Sequence, residues 1–125
     1  MYEVFTEMHF SASHHLLNYI GDCSKVHGHN WQVRATAQAP TLNELGIAVD
    51  FKALKRHLHT VIDPLDHEDL NTLFTADFGN PTAENIARYI FDKLAPLIDQ
   101  EEGSAIITRI DIWETPGNCA SYFNA

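Results

Sequence analysis

The sequence predicts an α+β domain in which helices pack on one face of an antiparallel sheet. Three observations predict it. Two segments of alternating polarity flank a polar connection near the N-terminus, two helical stripes fill the middle, and alternating segments return at the end. The order is strand, strand, helix, helix, strand, strand, which reads as one four-stranded domain with two helices.

The first strand is expected over residues 2–12. Tyr2, Val4, Met8, Phe10 and Ala12 share one face, and Glu3, Glu7, His9 and Ser11 the other, the period-two pattern of a half-buried strand. A polar connection runs from about Asn18 to Lys25. The second strand sets Trp31, Val33, Ala35 and Ala37 against Asn30, Gln32, Arg34, Thr36 and Gln38, and ends at Pro40. After the short apolar piece Ile47 to Val49, a helix carries Phe51, Leu54, Leu58, Val61 and Ile62 on one stripe until Pro64 stops it. A turn follows at Leu65-Asp66-His67. The second helix is expected from Thr82 to about Leu97, with Thr82 as N-cap, Glu84 near the positive end of the dipole, and Ile86, Ile90, Leu94 and Leu97 as its stripe. The third strand fits Ala105 to Glu114, and the fourth fits Ala120 to Phe123 after the Pro116-Gly117 turn.

Length and composition bound the function. A chain of 125 residues suits one domain, 1–125, burying roughly two-thirds of its unfolded surface. The 45% hydrophobic and 20% charged content is ordinary for a soluble protein. No apolar run approaches the ~18 residues of a membrane span, and the acidic N-terminus does not read as a signal peptide, so a cytoplasmic location is expected. A net charge of -9 with no basic stripe argues against nucleic acid. An anionic small substrate needs a local basic pocket, for which Lys25, Arg34, Lys52, Lys55 and Arg56 are available.

Eight histidines is the unusual figure. His27 and His29 sit two apart at the start of a strand, so both rings project to one face from Cα atoms roughly 6.5–7 Å apart. They can lean onto one ion, with His14 delivered by the antiparallel partner. Three nitrogen ligands with a vacant fourth position describe a catalytic zinc site. Copper, nickel or iron also suit imidazole, and Cys119 stays open as a closing ligand. His9, His57 and His59 read as ordinary histidines.

Cys23 lies four residues before His27. A thiol near a dication or a charged imidazole ionises readily and serves as base or nucleophile. Asp66 and His67 form a proton-transfer dyad if the carboxylate orients the ring; otherwise they are solvated loop charges. Glu114 falls on the apolar face with Ile106, Ile110 and Ile112. A carboxylate there either faces a ligand, for which parallel N–H donors are suited, or pairs with a neighbour such as Arg109.

These residues together resemble the 6-pyruvoyltetrahydropterin synthase family. The matching stretches are Phe10-Ser-Ala-Ser-His14, Cys23-Ser-Lys-Val-His27-Gly-His29-Asn30, Leu65-Asp66-His67, Asn80-Pro-Thr-Ala-Glu84 and Trp113-Glu114-Thr115, in family order across nearly the whole chain. The resemblance implies a T-fold whose protomers join sheets into a barrel, and a homohexamer with active sites at subunit boundaries. It implies His14, His27 and His29 as zinc ligands, Cys23 as proton acceptor, Asp66 and His67 as relay, and Glu114 as anchor of the pterin ring. Thr82 and Glu84 match a segment near the pocket.

The Cys-x3-His-x-His spacing is similar to the bacterial 6-carboxytetrahydropterin synthases of queuosine biosynthesis. The implied activity is a zinc-dependent lyase acting on 7,8-dihydroneopterin triphosphate, without a nicotinamide cofactor. Rival readings are the pyruvoyl-forming synthase, an aldolase-like activity, and a non-catalytic zinc-stabilised oligomeric module.

Overall fold

Alternation at the N-terminus produces two long strands, β1 (Tyr2–His14) and β2 (His27–Ala39), paired antiparallel along their full length from Tyr2↔Ala39 to His14↔His27. The computed structural model describes residues 1–21, 25–74 and 78–124. Both strands run further than the apolar alternation alone suggests, because polar His14, His27 and His29 continue the inward parity of Phe10, Ala12 and Trp31. Phe10 and Trp31 stack with centroids 6.1 Å apart and anchor the core beneath this end of the sheet.

The helices follow their caps. Asp50 accepts the Lys52 N–H and starts α1 (Phe51–Ile62), whose Leu54 and Leu58 are wholly buried. Pro64 then falls in a short 3-10 turn, Asp63–Leu65. A two-residue strand β3 (Glu68–Asp69) and a single-turn helix α2 (Leu70–Leu73) precede the main helix, α3 (Ala83–Asp99). Thr82 caps α3 by accepting the Asn85 N–H. Pro96 lies inside this helix and does not end it. Its ring is exposed, so water can reach the carbonyl it leaves unbonded, and burial of Ile98 two residues later carries the last turn through.

The sheet has five strands in the order β3-β1-β2-β4-β5, where β4 is Ile106–Thr115 and β5 is Asn118–Phe123. The periodicity predicts four strands and misses β3, because a two-residue parallel bridge to Ala12 and Ser13 has no period to read. A bulge corrects the face of β4 as well. Thr36 pairs with Arg109 and Ala37 with Ile107, leaving Thr108 as the extra residue. Ile107 therefore points inward and is buried, whereas Ile106 is 53% exposed. Beyond the bulge, Ile110, Ile112 and Glu114 keep the inward parity expected of them.

The helices among the described residues lie on one face of the sheet, where the core forms. Among the described residues no element covers the other face, which carries Phe5, Arg34, Trp113 and Phe123. Arg34 sits 4.2 Å from the Phe5 ring centroid and donates to Glu7. No helix among the described residues is long and apolar enough to cross a membrane.

Candidate metal and pterin site

The register of β1 and β2 sets His14 directly opposite His27, with His29 two residues further along the same inward face. The three rings meet edge to face, with centroids 4.5 to 5.2 Å apart. Gly28 between the two β2 histidines has open space where a side chain would stand. Glu114, at the inward-facing end of β4, completes the group. One ligand atom from each of the four residues falls within 4.8 Å of the others.

Second partners fix how these rings point. His14, only 2% exposed, holds the Pro81 carbonyl through Nδ1 at 2.7 Å. His27 holds the Lys25 carbonyl through Nδ1 at 2.7 Å. A carbonyl accepts only, so both Nδ1 atoms donate, and each ring turns its Nε2 to the centre, where His14 Nε2 meets Glu114 Oε1 at 3.0 Å. His29 Nε2 is buried without a hydrogen-bond partner, although Glu114 Oε1 lies 2.9 Å away outside donor geometry. Burial pushes the His29 imidazole below its usual pKa and the neighbouring rings add to this, while the Glu114 carboxylate opposes them. Three imidazole nitrogens and a carboxylate oxygen thus converge on one point, with His14 Nε2 hydrogen-bonded to Glu114 Oε1 and His29 Nε2 left buried without a partner. That arrangement fits a cation, and the mixed nitrogen and oxygen set suits a divalent metal.

Beside the cluster lies a hollow of about 340 Å³ lined by Ala83, Glu84, Glu114 and the start of β5. Glu84 and Glu114 therefore face one space. Thr82 is absent from that lining, and its hydroxyl serves the α3 cap. Cys119 lines the hollow too but lies outside the four-atom cluster, with its Sγ against the Ala120 carbonyl. Burial, aided by the Asp111 carboxylate, pushes its thiol pKa up and disfavours the thiolate a ligand would need. The alternative pairing of Glu114 with Arg109 does not form, because Arg109 donates to Asp111 and Ser121 instead.

Asp66 and His67 sit elsewhere. The Asp66 carboxylate accepts the Ser11 N–H at 2.9 Å, and its Oδ1 is 3.0 Å from His67 Nδ1. The Ser11 hydrogen bond is the main reason the Asp66 carboxyl stays below its ordinary pKa. His67 adopts φ 61°, and its side chain is 81% exposed on the edge of β1 away from β2. Cys23 lies outside the described residues. Two of the candidate cations lie apart: Arg34 donates to Glu7 on the sheet face away from the helices, and Arg56, on α1, pairs with Glu101.

Some contributing residues gave no sequence signal of their own. The side-chain amide of Asn71 bonds both the N–H and the C=O of His15, and Asn80 does the same for Leu17. Two asparagines thus stand in for strand partners along the segment leaving His14. Of the two, only Asn80 falls within a family-like stretch of the sequence, Asn80-Pro-Thr-Ala-Glu84.

Residues 3–125 match the family described as 6-pyruvoyl tetrahydropterin synthase. The chain belongs to this family. A relative named 6-carboxy-5,6,7,8-tetrahydropterin synthase, from Synechocystis, is 33% identical over 99% of this chain and 95% of its own length. A Drosophila melanogaster relative named 6-pyruvoyl tetrahydrobiopterin synthase is 32% identical, over 90% of this chain and 74% of its own. Among solved structures, the Caenorhabditis elegans 6-pyruvoyl tetrahydropterin synthase superposes with a TM-score of 0.82 at 26% identity, covering 100% of this chain and 98% of that one. The T-fold expected of the family is the fold observed, and the protein is a tetrahydropterin synthase by family.

Proposed function

We propose that the protein is a zinc-dependent lyase. It converts 7,8-dihydroneopterin triphosphate and water into 6-carboxy-5,6,7,8-tetrahydropterin, acetaldehyde and triphosphate, a step of queuosine biosynthesis. The observation that carries this reading is the convergence of His14, His27, His29 and Glu114 beside a hollow able to take a flat heterocycle. The name of the Synechocystis relative favours the carboxy-forming product.

His14, His27 and His29 would hold the ion, which supplies Lewis-acid polarisation to the hydroxyls on the substrate's side arm. Glu114 accepts the parallel N–H donors of the pterin ring, Glu84 borders that ring from the start of α3, and Thr82 serves the site by capping the helix that carries Glu84. Cys23, as thiolate, removes a carbon-bound proton from the same side arm. Asp66 holds the His67 ring through Nδ1, leaving Nε2 to pass protons during tautomerisation. Exposure of His67 in the isolated protomer suits a relay completed by a neighbouring subunit, as a cytoplasmic homohexamer with boundary sites requires.

The pyruvoyl-forming reaction, in which triphosphate leaves without carbon–carbon cleavage, is the second reading. The similar identity of the Drosophila relative favours it. Incubating zinc-loaded protein with dihydroneopterin triphosphate and identifying products by mass separates the two, since only the first releases acetaldehyde. Cys23→Ala should abolish turnover with bound zinc still near one per protomer; loss of zinc instead would make Cys23 a ligand.

A further inference from the structure

The hollow beside the cluster suits a heterocycle but not the triphosphate of the proposed substrate. It is bordered by the Glu84 and Glu114 carboxylates, which repel a polyanion. The phosphate chain therefore has to leave the cluster on the side away from them. Glu114 Oε1 lies 3.0 Å from His14 Nε2 and 2.9 Å from His29 Nε2, but 3.9 Å from His27 Nε2. His27 is thus the ring furthest from that oxygen, and it is also the most exposed of the three. Its Nδ1 donates to the Lys25 carbonyl at 2.7 Å, which holds the Lys25 backbone against this outer ring. Lys25 is exposed, and no carboxylate pairs with it among the described residues. The other cations are committed or distant. Arg34, Arg56, Arg88 and Arg109 pair with Glu7, Glu101, Asp92 and Asp111, and Lys93 lies over the Tyr89 ring. Lys52 and Lys55 lie at the start of α1, whose first residue, Phe51, shares a hollow with Val4. Val4 stands ten positions from His14, roughly 33 Å along β1.

We infer that Lys25 binds the triphosphate of the substrate, on the side of the cluster facing away from Glu114. This rests on the function proposed above and adds to it the residue that selects a phosphorylated substrate. The ring end then lies among carboxylates and the phosphate end against an ammonium, so charge alone favours one orientation of the substrate. In a chain of net charge -9 an exposed ammonium beside the outermost ring also offsets the repulsion that a polyanion meets on approach. A lysine suits the task, because its compact charge on a flexible stem can follow a phosphate chain.

Neopterin and neopterin triphosphate differ only in the phosphates, so calorimetric titration of the zinc-loaded protein with each isolates the contact. The wild type should bind the triphosphate more tightly than neopterin, and added salt should narrow the difference. Lys25→Gln should weaken neopterin triphosphate about tenfold and leave neopterin unchanged, while Lys25→Arg restores most of the loss. In turnover of dihydroneopterin triphosphate, Lys25→Gln should raise KM by a similar factor and hold kcat within about twofold of the wild type. A Lys25→Gln protein that binds neopterin triphosphate as tightly as the wild type would overturn the assignment. A fall in kcat at unchanged KM would overturn it too, placing Lys25 with the proton chemistry of Cys23. Wild-type protein that binds neither compound would instead sink the pterin reading beneath it.

Discussion

His14 shows how far the cluster is already built for an ion it would hold. Its ring is buried, bonded to the Pro81 carbonyl and packed edge-on against Trp31 with centroids 5.0 Å apart. Neither tautomer nor rotamer has to be selected on binding, so little ordering cost is left for the ion to offset. His29 is held less comfortably, with a buried Nε2 and an imidazole pKa driven below 6.5 by burial. The unfolded chain therefore takes up a proton at a higher pH than the folded one does. The corresponding stability is complete above the unfolded value and is lost as pH falls through the depressed folded one. Chelator-treated protein should accordingly unfold at lower urea concentration on going from about pH 7.5 to 5, and His29→Gln should flatten that slope. A wild-type slope identical to the variant's would remove His29 from the account.

Elements locate the site by register. Strand parity alone puts His27, His29 and Glu114 on the inward face, which is why those positions are legible in the sequence. Features without a period are not: the Thr108 bulge, the β3 bridge, and the amide clamps of Asn71 and Asn80. The end of α3 is hidden too, because exposure of Pro96 and burial of Ile98 decide it and neither is local. The pair Asp66 and His67 is visible as a dipeptide, but its attachment to Ser11 depends on a pairing 55 residues distant. The clamp at Asn80 yields an element-scale expectation. Asn80→Ala leaves both backbone groups of Leu17 without their partner and should cost about 1–2 kcal/mol in urea unfolding. Exchange of the Leu17 amide hydrogen should quicken at the same time; unaltered exchange would show that the clamp holds nothing.

At the scale of the molecule, one sheet face is covered and the other is bare. Phe5 and Phe123 are each about half exposed there, and β1 from Tyr2 to Phe10 has no strand beside its outer edge among the described residues. Long open edges and bare aromatics favour association with further copies, as the proposed hexamer requires. Replacing both Phe5 and Phe123 with Asp should shift sedimentation toward the monomer and abolish turnover without altering far-UV circular dichroism. A hexamer surviving both changes would place the contact elsewhere. The four converging atoms come from β1, β2 and β4, so a bound ion would fasten three adjacent strands across a span running from His14 to Glu114. Loading and folding then become a single equilibrium: each tenfold rise in free ion above its dissociation constant adds about 1.4 kcal/mol to the native state. Metal starvation would leave a cell with fewer intact molecules, and not merely with idle ones.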